Sequence, residues 1–152
     1  MKTELKILVN SLHDIEKLLI NQGAIMSSES NTEHTYFQQP EGKVLKLVSE
    51  QGKQTQLHKL EKQKNSFIFQ SKLRVLNTDK KLQELNEQFG VSKKLDMHAK
   101  KYELNDYVFG LYTISNLGTF VIIEGNNPSI EVAKKTLNID DPRVVTVSFD
   151  KL

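Results

Sequence analysis

From Lys2 to Val9 the chain alternates strictly. Lys2, Glu4 and Lys6 fall on one parity and Leu5, Ile7 and Val9 on the other. Successive side chains of an extended strand point to opposite faces, so this strand has one face bearing both signs of charge and one apolar face. Such a strand either shows its charges to water or lines something with them, and the rest of the chain has to decide.

The pattern continues downstream. Ser11, with Asp14 three residues on, opens an amphipathic helix carrying Leu12, Ile15, Leu18 and Leu19, and Gly23 closes it. Residues 24–37 are extended and polar until Thr35-Tyr36-Phe37, and Pro40-Glu41-Gly42 makes a turn. A third strand covers Lys43–Val48, a fourth about Gln54–Glu61, and a fifth Phe67–Leu76. A second helix starts at Thr78, presents Leu82, Leu85 and Phe89, and ends at Gly90. Strand six spans about Lys94–Leu104, strand seven Tyr107–Ile114 and strand eight Thr119–Glu124. Asn126-Asn127-Pro128 leads into a short helix over Ser129–Leu137, and Val144–Leu152 forms a last strand or a small helix. This order makes an α+β domain, antiparallel and β-rich, around a large curved sheet or barrel.

The apolar parity gathers Leu5, Ile7 and Val9 with Leu45, Leu47, Phe67, Phe69, Leu73, Val75, Leu95, Met97, Ala99, Val121 and Ile123. The other parity gathers Glu4, Lys6, Lys46, Gln70, Lys72, Arg74, Asp96, His98, Lys100 and Glu124. The helices need an apolar partner, so the apolar faces turn toward them and the charged faces turn away. In an open sheet those charges are solvated. In a closed barrel they line a basic tunnel suited to a polyanion. The parity of strand four stays open between Leu57/Lys59 and His58/Leu60.

Composition sets outer bounds. The 152 residues suit one domain, 1–152, with 38% hydrophobic and 26% charged residues. With no cysteine, disulfides, zinc–thiolate sites and thiol nucleophiles are excluded. A net charge of +2 gives no indication of nucleic-acid binding. The apolar run at Phe120–Ile123 stops at Glu124, far short of a membrane span, and the opening strand lacks a signal-peptide layout, so a cytoplasmic protein is expected. No Walker lysine, Gly-rich phosphate loop or Rossmann fingerprint is present, and His13, His34, His58 and His98 have no metal-ligand spacing.

Taken in order, Lys2-Thr3-Glu4-Leu5-Lys6, Thr35-Tyr36-Phe37, Gly42-Lys43-Val44-Leu45-Lys46-Leu47, Leu117–Glu124 and Val147–Leu152 resemble the CYTH superfamily. This is the triphosphate tunnel fold of class IV adenylyl cyclases, thiamine triphosphatases and inorganic triphosphatases. The resemblance implies an antiparallel eight-stranded β-barrel with helices packed outside and a basic tunnel inside. The family's opening strand reads Glu-x-Glu-x-Lys, its acids holding a divalent metal and its lysine holding phosphate. Here those slots are Lys2, Glu4 and Lys6. Lys46 matches a basic slot whose partner is Val48; Tyr112 stands in an aspartate slot; Ile122 and Glu124 stand for a final Glu-x-Glu; His98 and Lys100 map onto a basic pair.

Basic slots are kept while most acidic ones are lost. Phosphoryl transfer on a triphosphate leans on one or two divalent ions, and magnesium needs at least one or two carboxylates. The expectation is therefore a protein that binds a phosphate-bearing small molecule or nucleotide with weak or no metal-dependent catalysis. Its ligand residues would be Lys2, Lys6, Lys46, Lys72, Arg74, His98, Lys100 and Tyr112, with Glu4 and Glu124 as the remaining positions for Mg or Mn. Lys2 would replace the charge of a lost metal. The alternatives are a divergent triphosphatase or nucleotidyl cyclase that recruits another acid (Glu33, Asp96 or Glu61), and a scaffold whose tunnel is filled by its own side chains.

Overall fold

A computed structural model describes residues 2–152. Its elements, in chain order, are β1 (Lys2–Val9), α1 (Leu12–Asn21), β2 (Ile25–Phe37), β3 (Lys43–Ser49), β4 (Gln56–Gln63), β5 (Ser66–Arg74), α2 (Thr78–Phe89), β6 (Val91–Leu104), β7 (Tyr107–Ile114), β8 (Gly118–Asn126), α3 (Ile130–Leu137) and β9 (Arg143–Val144). A 3-10 turn over Phe149–Lys151 ends the chain.

Each helix opens on a side-chain cap. Ser11 Oγ accepts from Asp14 N–H at 3.3 Å, Asn77 Oδ1 from Lys80 N–H at 3.1 Å, and Ser129 Oγ from Val132 N–H at 3.3 Å. These caps satisfy amide groups that have no partner inside the helix.

All strand pairs are antiparallel, and the order β5-β4-β3-β2-β6-β7-β8-β1 returns to β5. The closing seam is short, Thr3↔Ile68 and Glu4↔Phe67. Below it, β9 takes over the free edge of β1 through Ile7↔Val144 and Leu8↔Arg143. The chain then turns inward: Val145 N–H donates to the Lys6 carbonyl at 2.8 Å, and Phe149 enters the barrel at 1% exposure. Its ring meets Phe120 edge-on, with centroids 4.9 Å apart. The ambiguous final segment is thus both a two-residue strand and a small helical turn, and it closes one end of the barrel.

Apolar side chains collect in three places. Leu5, Ile7, Val9, Phe109, Leu111, Val121 and Ile123 pack outside the barrel against Ile15 and Leu19 of α1 and Ala133 and Leu137 of α3. Phe37, Leu45, Leu47 and Val75 pack against Leu85 of α2. The third cluster fills the closed end of the barrel itself with Tyr36, Val44, Leu60, Phe67, Leu95, Met97, Phe120, Ile122 and Phe149.

This interior core overturns part of the parity assignment. Leu95, Met97 and Ala99 point into the barrel rather than toward a helix, because α1, α2 and α3 leave most of the outer face of β2 and β6 uncovered. Phe67 and Phe69 also point inward, yet Lys72 further along β5 does too. A β-bulge reconciles them: Leu60 pairs with Phe69 and Lys59 with Ser71, so Gln70 is extra and the parity reverses there. In β4, His58 and Leu60 face inward, and Leu57 packs toward α2. Among the described residues, no helix is long and apolar enough to cross a membrane.

Candidate functional site

The open half of the barrel is polar. A cavity of about 90 Å³ is lined there by Glu4, Thr32, His34, Lys46, His58, Lys72, Lys101, Tyr112 and Glu124, with Phe69, Ile122 and Phe149 among its apolar walls. It shares Thr32 and Val48 with an open depression of about 400 Å³ at the rim, which Lys53, Gln54, Gln56 and Arg74 border. Drug-sized ligands fill sites of roughly 300–1,000 Å³, so the inner cavity suits a small charged group and the rim suits whatever is attached to it.

Glu4 and Glu124 are cross-strand partners on β1 and β8, and both are buried. Glu124 Oε1 lies 3.0 Å from Lys2 Nζ and 3.9 Å from Lys72 Nζ. Lys2 sits at the rim with its side chain 57% exposed. Lys72 also covers the Phe69 ring, 4.1 Å from its centroid. Burial lowers the Lys72 pKa, opposed by Glu124 and reinforced by Lys2.

Lys46 is buried at mid-height of β3. Its Nζ donates to Tyr36 OH at 3.5 Å, and it has no ion-pair partner among the described residues. Burial lowers its pKa; Glu4 works against this, and Lys72 and Lys101 add to it. His58, whose Nε2–H donates to Gln56 Oε1 at 2.8 Å, is pushed down to about 3 by burial and by the charges of Lys46, Lys72 and Lys101. Tyr112 is held neutral well above the usual tyrosine range by burial and the two glutamates. Its ring lies against Gly110, where a Cβ would collide with it.

Lys6 occupies the floor rather than the cavity wall. Its Nζ is 4.1 Å from the Phe67 ring centroid and 4.4 Å from that of Phe149, a cation shared by two aromatic faces. Burial is the main cause that lowers its pKa to about 8.

Of the expected ligand residues, the fold brings Lys46, Lys72 and Tyr112 to the cavity, places Lys6 directly beneath it, and sets Lys2 and Arg74 at the rim. It takes His98 and Lys100 elsewhere. Both lie on the outer face of β6, where His98 contacts Glu29 at 2.8 Å and Lys100 pairs with Glu16 of α1 at 3.4 Å. Glu16 also accepts from Tyr102 OH, a bond that lowers the Glu16 pKa and pushes Tyr102 up to about 12. The inward-facing lysine of β6 is Lys101. The sequence carried no signal for it, since Lys101 shares the parity of Leu95, Met97 and Ala99, which the apolar pattern turns toward the helices. Glu33, Asp96 and Glu61, the candidate extra acids, are on the outer face: Glu33 pairs with Asp96, and Glu61 accepts from Gln70 beyond the barrel wall.

Among the described residues, no three His, Asp or Glu side chains converge as a metal donor set. Two carboxylates, one engaged by Lys2 and both among lysines, do not by themselves fit a resident Mg or Mn ion. Ligand oxygens would have to complete the shell.

No protein-family model and no curated protein matches the sequence. Solved structures do match in shape. The PH1012 protein of Pyrococcus horikoshii aligns over 100% of this chain and 99% of its own with a TM-score of 0.86 and 22% identity. A proposed adenylate cyclase of Vibrio parahaemolyticus aligns over 90% of this chain and 82% of its own, with a TM-score of 0.66 and 13% identity. HpAC1 of Hippeastrum, a proposed adenylyl cyclase described as having a dominant triphosphatase activity, aligns over 91% and 85% with a TM-score of 0.62 and 12% identity. At these identities the likeness is one of fold, and that fold is the closed, eight-stranded antiparallel CYTH-like barrel with helices outside.

Proposed function

We propose that this protein binds a phosphate-bearing anion, a nucleotide or a polyphosphate, with its phosphate end in the barrel cavity, and turns it over weakly or not at all by metal-dependent chemistry. The observation that supports this reading is the surplus of cations around Lys46. Lys46, Lys72 and Lys101 converge on one small cavity, Lys46 lacks an ion-pair partner among the described residues, and the three lower the pKa of His58 beside them. Low-dielectric walls strengthen such a field, and an incoming anion relieves the repulsion. The rim depression beside Arg74 offers room for the remainder of a nucleotide.

The cross-strand pair Glu4 and Glu124 favours a second reading, a triphosphatase or nucleotidyl cyclase in which a Mg or Mn ion arrives bridged by ligand phosphates. Calorimetric titration with tripolyphosphate and with ATP, in EDTA and again with excess Mn²⁺, separates the two. Binding in EDTA that is lost in Lys46→Met supports the first. Binding confined to the Mn²⁺ arm, with phosphate release abolished in Glu4→Gln, replaces it with the second. No binding in either arm removes both.

A further inference from the structure

His34 lines the cavity and, like His58 and Lys101, fills none of the family slots. It sits at mid-height of β2, 7% exposed, with its ring stacked on Tyr36 at a centroid distance of 6.3 Å. Nε2 is 2.9 Å from Thr32 Oγ1, but Nδ1 is buried and has no partner among the described residues. Buried polar atoms almost always have partners, so each exception asks for an explanation. Thr3 Oγ1 is the other such side-chain atom among the described residues, and its parity on β1 turns it away from the cavity. His34 instead lines the cavity, facing Lys46 on β3, His58 on β4, Lys72 on β5, Lys101 on β6, Tyr112 on β7, Glu124 on β8 and Glu4 on β1, with Lys6 below.

We propose that His34 is a ligand contact of this cavity: its Nδ1 donates a hydrogen bond to a phosphate oxygen, and the ring takes up a proton from solvent as the anion arrives. The inference rests on the anion-binding reading above and adds the group that reads the anion's charge. In the free protein, burial and the Lys46 charge keep the imidazole neutral. A bound polyanion reverses the sign of the local field, so the imidazolium becomes the favoured form. It then donates through Nε2–H to Thr32 Oγ1 and through Nδ1–H to the ligand. Nothing but a proton moves, and it comes from bulk water.

The test uses the whole chain with tripolyphosphate in EDTA near pH 7. Imidazole ¹⁵N signals of the wild type, with His34 assigned by its disappearance in His34→Asn, should move from a neutral to an imidazolium pattern on titration. Calorimetry in two buffers of different ionisation enthalpy should show net proton uptake that falls in His34→Asn. That variant keeps a donor near the Nδ1 position, so it should bind more tightly than His34→Leu, which should lose about tenfold or more. If tripolyphosphate binds while the His34 signals stay put, or if proton uptake is equal in wild type and His34→Asn, the inference is overturned and the anion-binding reading stands. If tripolyphosphate does not bind at all, both fall. The wild-type spectra decide the matter even if the leucine variant fails to fold.

Discussion

Lys6 shows how one position is read twice. Alternation along β1 puts it on one face with Glu4, and that much is legible from five residues; closure of the barrel makes that face the interior. Its environment is not, because Phe67 and Phe149, the rings that hold its ammonium, come from β5 and from the C-terminal turn. Among the described residues Lys6 has no ion-pair partner, and burying its charge carries a desolvation cost that the rings and the nearby charge of Glu4 only partly offset. Lys6→Met should therefore raise stability in urea by about 1–2 kcal/mol; a loss of stability instead would show that Glu4 and Asp150 compensate its charge. The pH dependence has a definite sign. The folded pKa is about 8 against 10.5 for a free lysine, so between those values the unfolded chain binds more protons and stability rises with pH. Wild type should gain stability relative to Lys6→Met across that window in parallel denaturation curves.

At the scale of elements, β5 is the instructive case. Read as an unbroken strand, it puts Phe67 and Phe69 opposite Lys72 and Arg74. The bulge at Gln70 lets two phenylalanines serve the interior core and Lys72 serve the cavity on one side of the same strand. Deleting Gln70 should remove the bulge and leave strict alternation with Phe69, Lys72 and Arg74 all on the inward side, so tripolyphosphate binding should persist. Loss of binding while the far-UV spectrum stays β-rich would show that the bulge itself, and not only the parity it resets, positions those residues. On β6 no bulge intervenes at the site. There the polar parity, Asp96, His98 and Lys100, goes outward because no helix lies over most of that face, which leaves Lys101 as the inward cation. The C-terminal turn closes the far end through Phe149. Phe149→Ala should cost about 3–5 kcal/mol in a denaturant melt. A change near zero would show that the interior core closes without it.

For the whole molecule, barrel closure is what converts strand faces into a site. The β1–β5 seam brings the two ends of the sheet together, so Glu4, Lys46, Lys72, Lys101 and Glu124 from five strands share one cavity. Gathering so much positive charge has a measurable consequence. The pKa of His34 is held well below the 6.5 of a free histidine, and that of His58 is lowered from it to about 3, so the unfolded state binds more protons between about pH 3 and 6.5. Stability should fall as pH drops through that window, and tripolyphosphate should flatten the fall. Ligand at about a hundred times its dissociation constant should add roughly 2.7 kcal/mol, read as a shift in the thermal midpoint. By itself the sequence determined the element order, the Ser11 cap, the α+β class and the shared strand face of Glu4 and Lys6 and of Lys46 and Glu124 within their own strands, because periodicity and capping are local. Only the tertiary structure decided that Lys101 rather than Lys100 faces the cavity, that Phe67 and Lys72 share a side, that His34 meets Lys46, and that the barrel is shut at one end. Those outcomes depend on which faces the helices cover, where a bulge resets the parity, and where the chain end inserts, and none of these is carried by neighbours in the chain.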